Sequence, residues 1–386
     1  MRAVALGTDA FAVLCRRFHF SRQTGYLYWR RYQLEGDPGL WPRSRAPHHP
    51  GRMRAAHWRE QLRRWRLQHP RWGPKKLATL LPRPFRPSRA TLGRWLHLMG
   101  LSARRRRRPK PGPRWLWPAL TVPTHANQVW TVDFKGSFCA GEGTRLHPLT
   151  VRDLFSRFIL CIQAWPHERE AQVRRAFTRL FRRFGRPQVI RCDNGVPWSS
   201  TGPLGLSGLS VWWWRQGIRV EFTAKGHPEH NAAHEQHHRI LKADTARPPA
   251  RTFSAQQKRF DRWRYYYNHL RPHEALNQQV PASLYRPRPH QGTLELATVR
   301  YKGAFATRRA HPNGEIVWEG RRRFISDAVA GETLGLYPRE PGVWSVRFLQ
   351  LELGHLHRSD PGAMRPAAYI KPKKCKACVE LKLSSM

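Results

Sequence analysis

Three carboxylates stand in places where a strongly basic chain has reason to avoid them. Asp133 lies in the apolar run VWTVDFKGSF (129–138), Asp193 ends QVIRCDNG (188–195), and Glu235 falls within GHPEHNAAHEQHHRILK (226–242). A carboxylate inside an apolar strand is costly unless a positive charge compensates it. A divalent cation facing a phosphate backbone supplies that charge. Mg²⁺ takes hard oxygen ligands and keeps several waters, so a few carboxylates suffice. Two such ions can activate an attacking oxygen and stabilise the leaving one in an in-line displacement at phosphorus. That chemistry needs acids at adjacent strand ends and one more from a helix. Here 60 residues separate the first two acids and 42 the second and third.

The rest of the composition fits a polyanionic partner. Seventy Lys and Arg stand against 25 Asp and Glu, a formal net charge of +45. Such a balance implies a polyanionic partner rather than a small-molecule substrate: nucleic acid, taken as double-stranded DNA, is the leading choice and an acidic membrane surface the lesser one. With 386 residues, 40% of them hydrophobic, the chain has material for two to four domains and a sizeable core. No stretch approaches ~20 apolar residues, so no membrane span is expected. Asp9 and a basic cluster break the N-terminal run, so it does not read as a convincing signal peptide. The expected location is cytoplasmic and nucleoid-associated. Six cysteines are scattered without a disulfide framework. Cys375 and Cys378 form a CxxC that His355 and His357 would complete as a zinc site on paper. A pair of reduced thiols is the preferred reading, because structural zinc sites have fuller ligand spacing.

The elements that must position these acids follow from pattern. Residues 1–45 read as a helix-turn-helix: AFAVLCRRF, then Ser21 as N-cap of RQTGYLYWRRYQ, which carries Arg22, Gln23, Tyr28 and Arg31 toward DNA. Residues 36–51 are a Pro/Gly linker. A second helical unit spans 52–103, with Ser88 capping RATLGRWLHLMG and its Arg89 and Arg94. The linker 104–123 holds the run Arg104, Arg105, Arg106, Arg107, Arg108, suited to lying along phosphates. From 124 to 290 the pattern is mixed α/β. VWTVDF, LHPLTV, RFILCIQAW, VIRCD and IRVEFT read as strands. Helices follow in EREAQVRRAFTRLFRRF, LSGLSVWWWRQ, the segment after Asn231, and SAQQKRFDRWRYYYNHL. Trp212 to Trp214 read as core, and Asp153 in RDLFS as a turn-stabilising residue. Residues 295–358, with IVWEG, RRFIS, ETLGLY and VWSVRFLQL, read as a small β-barrel. Residues 359–386 read as a poorly ordered tail; five of thirteen lysines fall between 371 and 382.

VWTVDFKGSF, IRCDNGVPWSS, GHPEHNAAHEQHHRILK and YYNHLRPHEAL, in this order, resemble the integrase-core transposases of bacterial insertion sequences, relatives of retroviral integrases. The likeness covers about residues 12–356. It implies a multidomain chain: helix-turn-helix units that bind terminal inverted repeats, a ribonuclease H-like core with a mixed sheet, and the small barrel. Asp133, Asp193 and Glu235 match the family's Asp-Asp-Glu triad, which holds Mg²⁺ or Mn²⁺, two ions in all. Water first attacks at the element end, and the freed 3′-hydroxyl then attacks target DNA. A homo-oligomer holding two ends is also implied. Asn194 and Gly195 shape the turn presenting Asp193, and Asn231 opens the helix of Glu235. Lys242 shares that helix face and can meet a phosphate, while Arg239 is one turn from Glu235 and placed to pair with it. Tyr267, Asn268 and Arg271 match the closing motif. The chain departs from the pattern at Ala232 and Gln236, where family members often carry Gly and Arg. The short N-terminus and Lys-rich tail leave a second reading, a catalytically decayed transposase-derived DNA-binding protein. A remote third comes from His234, Glu235 and His238, which satisfy the HExxH spacing of zinc proteases.

Overall fold

The computed structural model describes residues 2–7, 9–43, 52–82, 86–102, 120–134, 136–223, 232–288, 296, 299–360 and 362–367. Arg104 to Arg108, Asn231, Cys375 and Cys378 lie outside them. The chain divides into two compact units, Met1–Trp72 with Ser88–Ser102, and Gly73–Pro87 with Ala103–Met386.

In the first unit a short helix α1 (Arg2–Ala5) precedes α2 (Phe11–Arg17) and α3 (Arg22–Glu35). Ser21 caps α3 by accepting from the Thr24 N–H at 3.1 Å. Gly25 lets α3 approach α2, because a Cβ there would come within 2.6 Å of Cys15 Sγ. Further along are α4 (Arg52–Gln68) and, beyond α5 (Pro74–Leu77) of the second unit, α6 (Arg89–Leu98). Ser88 caps α6 through Thr91 N–H at 3.1 Å, and Leu92, Trp95 and Leu96 turn inward. Arg66 of α4 donates to the carbonyls of Trp72 (2.7 Å) and Leu101 (3.0 Å), fixing both ends of this pair.

The second unit is built on a mixed sheet. Strands β1 (Val129–Phe134), β2 (Phe138–Cys139), β3 (Arg145–Asp153) and β4 (Ile159–Trp165) pair antiparallel, with β2 extending β1's side of β3. Helix α7 (Glu170–Phe184) crosses over to β5 (Val189–Cys192), and α8 (Gly208–Arg215) to β6 (Arg219–Phe222); both strands are parallel to β1. The order across the sheet is therefore β4-β3-β1-β5-β6. α7 ends at Gly185, whose φ of 86° ordinary residues rarely adopt. α7 buries Val173, Ala176, Phe177, Leu180, Phe181 and Phe184 at helical spacing against Trp130, Val132, Leu149 and Ile190. The opposite face packs on α9 (Ala232–Thr245) and α10 (Phe253–His269) through Ile159, Ile162, Leu241, Phe260 and Trp263. The short α11 (Pro281–Leu284) follows, and Tyr285 after it donates to Asn127 Oδ1.

Two motif residues are structural. Asn268 of α10 accepts from Ile159 N–H and donates to Ile159 C=O, both at 2.9 Å, where the β3–β4 register shifts. It thus satisfies backbone groups that the ladder leaves. Asp153 is fully buried, as the turn reading requires. It accepts from Ser156 N–H (2.8 Å), Ser156 Oγ (2.5 Å) and Asn127 N–H (2.8 Å). Burial raises its carboxyl above the usual range against those bonds.

The C-terminal region differs from expectation. Strands β7 (Ala306–Arg309), β10 (Thr333–Glu340), β11 (Val343–Phe348), β12 (Leu351–His357) and β13 (Arg365–Pro366) make an open antiparallel sheet in the order β13-β12-β11-β10-β7. β8 (Glu315–Trp318) and β9 (Arg321–Phe324) form a separate hairpin. Among the described residues Phe324↔Ala363 is the one β-bridge from the hairpin toward the sheet, and the two sheets do not close into a barrel. VWSVRFLQL is two strands, not one: the chain reverses at Leu349 and Gln350, with Leu349 at φ 52°. The expected poorly ordered tail is also corrected in part. β13 pairs with β12, and Met364 is buried in this core. The Trp run serves two cores: Trp213 enters the α7 side, while Val211 and Trp214 meet Ile316, Val329 and Leu334 of the C-terminal sheet.

Asp153→Ala orphans two backbone N–H groups, each worth about 1–3 kcal/mol. We expect a lower urea midpoint for the core, followed by tryptophan fluorescence, with Asp153→Asn intermediate. An unchanged midpoint for Asp153→Ala contradicts this role.

Candidate active site

Side chains alternate across a strand. Trp130 and Val132 enter the core under α7, so Thr131 and Asp133 face the side that α9 and α10 cover. β1 and β5 run parallel with Val129 opposite Val189, Trp130 opposite Ile190 and Thr131 opposite Arg191. The same offset, continued two residues, sets Asp193 beside Asp133 on the same face. Neighbouring strands lie ~4.8 Å apart. The Cys192 thiol, buried at this strand end, is pushed well up by burial and then by the carboxylates of Asp193 and Asp133. Both charges are therefore close to it. The turn after β5 holds Asp193 locally: Gly195 N–H donates to its Oδ1 at 3.0 Å, and the Asn194 side chain donates to the Thr223 carbonyl. A Cβ at position 195 would stand 3.2 Å from Asp193 Oδ1, which explains the glycine.

Glu235 arrives on α9 and is exposed. Its neighbours pin that helix to the sheet. His234 Nε2 and His238 Nε2 lie 2.8 and 2.7 Å from Thr150 Oγ1. Thr150 is the β3 partner of Asp133, and its hydroxyl is 3.1 Å from the Asp133 carbonyl oxygen. The hydroxyl has one proton to give, so at least one imidazole presents Nε2–H to it. His238 Nδ1 is 3.6 Å from Asp133 Oδ2. The structure thus joins Asp133 and Asp193 by register, and sets Glu235 one helical turn before the histidine that reaches Asp133. His237 lies buried against Trp263 and Tyr267. Burial, then His238, holds the imidazoles of His234 and His237 well below their usual range, so both are neutral.

The pair with zinc-protease spacing faces Thr150 inside the sheet. His234 is 1% and His238 8% exposed, which leaves a peptide no access. Arg239 is exposed, and among the described residues no ion pair joins it to Glu235, contrary to the pairing expected from sequence. Lys242 is half-buried farther along α9. On α3, Arg22 and Gln23 are exposed, while Arg31 stacks over the Tyr28 ring at 5.6 Å. Arg89 and Arg94 are exposed on α6. Thr150 and His238 were not singled out as a link from sequence. Their only signal was histidines at 234, 237 and 238, a helical spacing beside Glu235. Arg191, likewise missed, is buried and paired with Glu221 at 2.9 Å.

Comparison with known proteins finds matches over both the N-terminal region and the core. Two models described as integrase core domain match residues 123–228 and 216–281, and a homeodomain-like domain matches 24–96. The insertion element IS407 31.7 kDa protein of Burkholderia multivorans is 29% identical over 184 residues, 47% of this chain and 64% of its own. The IS476 39.2 kDa protein of Xanthomonas euvesicatoria is 29% identical over 219 residues, 55% of this chain and 60% of its own. The chain therefore spans less than two thirds of either relative. The HTLV-2 integrase catalytic core domain, solved with magnesium, aligns over 42% of this chain and 99% of its own, at 14% identity and a TM-score of 0.33. Residues 123–281 thus match the integrase core domain, and over about half its length the chain is similar to these two insertion-element proteins.

Proposed function

We propose that the chain is a metal-dependent DNA strand transferase that cleaves the ends of its element and joins the freed 3′-hydroxyl to target DNA. What supports the reading best is the parallel β1–β5 register, which runs toward Asp133 and Asp193 at one sheet end, together with the 3.6 Å approach of His238, on the helix of Glu235, to Asp133. Two hard-oxygen carboxylates on one strand-end face fit Mg²⁺ or Mn²⁺ better than a softer ion. Asp133 and Asp193 would hold the ions, with Glu235 completing the second site. Bound there, divalent cations lower the cost of charge developing on the attacking and leaving oxygens. The chain itself contributes position. Gly195 N–H fixes the Asp193 carboxylate, and Thr150, His234 and His238 hold α9 against β1. For reading the element ends the candidates are Arg22, Gln23, Tyr28, Arg31, Arg89 and Arg94, and for phosphate contact Arg104 to Arg108, which lie outside the described residues, and Lys242. Two copies would hold two ends.

Purified protein with labelled element ends and a target plasmid tests this. Asp133→Asn, Asp193→Asn and Glu235→Gln should each reduce Mg²⁺-dependent joining about 100-fold or more, since several kcal/mol of charge stabilisation is lost. Repeat binding should change little. Retained cleavage in any of the three sinks the assignment, while binding without joining in the wild type supports the decayed reading. Thr150→Val should lower joining through α9 and reduce stability by about 1–3 kcal/mol, because ring nitrogens lose their partner. Thr150→Ser should restore both, and wild-type joining rates in Thr150→Val would contradict the pinning role.

A further inference from the structure

The C-terminal hairpin holds a buried guanidinium whose hydrogen-bonding capacity is only partly used, although the charges of Glu319 and Asp360 lie near it. Arg323 faces inward from β9, opposite the fully buried Ile316, and is itself only 2% exposed. Its Nε and Nη1 have no hydrogen-bond partner among the described residues. Unpaired donor nitrogens on a buried guanidinium are costly and favour a further acceptor. The nearby acids are engaged elsewhere. Glu319 accepts from Arg358 Nε at 3.2 Å and Nη2 at 2.8 Å. Asp360 accepts from Arg365 at 2.5 and 2.7 Å.

Arg323 also lines an open pocket of about 350 Å³ with Arg321, Arg358 and Glu319. Three guanidinium groups against one carboxylate leave two positive charges around that opening. Glu319 and Gly320 form the two-residue hairpin turn, both at positive φ, so the turn fixes Arg321 beside the mouth. Arg358 closes the far side at the end of β12, its N–H tied to the Gly342 carbonyl at 2.8 Å. Planar, forked donors converging on one opening match the tetrahedral oxygens of a phosphate group.

We propose that Arg321, Arg323 and Arg358 form a phosphate-binding pocket that takes one phosphodiester of the DNA backbone. The site is separate from the acids at the sheet end and does not depend on their chemistry; only the bearer of the phosphate is taken from the DNA reading. Full-length protein and a duplex of arbitrary sequence provide the test. At equal ionic strength, inorganic phosphate should raise the melting temperature relative to chloride. Arg321→Gln and Arg358→Gln should each remove that rise. Each should also make the slope of log K against log salt shallower by about one, as one phosphate contact is lost. Arg323→Met should abolish the phosphate effect without lowering stability in phosphate-free buffer, because the unpaired donor nitrogens go with it. A phosphate-dependent rise with an unchanged salt slope overturns the DNA assignment in favour of free phosphate. An unchanged slope with no phosphate effect overturns the pocket itself. Because the duplex lacks element ends and no joining is measured, failure here leaves the strand-transfer reading standing, and failure of joining leaves this one.

Discussion

The parallel pairing of β1 with β5 is the constraint from which the site follows. Its register, Val129–Thr131 against Val189–Arg191, runs toward Asp133 and Asp193, each two residues farther on at one sheet end. Neighbouring strands lie ~4.8 Å apart, so carboxylates at such a pair of strand ends carry like charge at close range. The backbone ladder and the Trp130, Val132 and Ile190 core hold them there regardless. Under the function proposed above, a divalent cation would lie between the two carboxylates. The Thr150 hydroxyl extends the same device to the helix. It meets Asp133's own backbone and two imidazoles of α9 at once, so strand and helix cannot shift independently.

Packing beyond the site follows from helices with two apolar faces. α8 is the clearest case, with Trp213 in the sheet core and Trp214 in the C-terminal one. The C-terminal sheet is thus built onto the core through a shared helix, and Arg215 adds an ion pair to Glu332 at 3.5 Å. The same region places the arginine pocket on the far side of the hairpin. The excess of basic residues is therefore not only a diffuse field. Part of it is organised into a site with walls.

Much of this was legible in the sequence because local signals were strong. VWTVDF alternates, EREAQVRRAFTRLFRRF has helical spacing closed by Gly185, and Ser21 and Ser88 are N-caps at the predicted positions. The acids stood out because charge is rare in apolar strands. What escaped was set by contacts distant in sequence. Thr150 lies in an ordinary strand, and nothing local marks it as the partner of residues 84 and 88 positions later. The turn at Leu349 and Gln350 carries none of the Gly, Asn or Asp chemistry that marks a hairpin, so two strands read as one. Barrel closure likewise depends on strand ends meeting, which spacing does not dictate.

Iron-directed cleavage addresses the central claim most directly. Fe²⁺ in place of Mg²⁺, with ascorbate and peroxide, cuts backbone near the bound ion. The account predicts cuts clustered around Asp133, Asp193 and Glu235, all suppressed by excess Mg²⁺. Cuts confined to one of these segments, or indifferent to Mg²⁺, would show that the three acids do not share an ion.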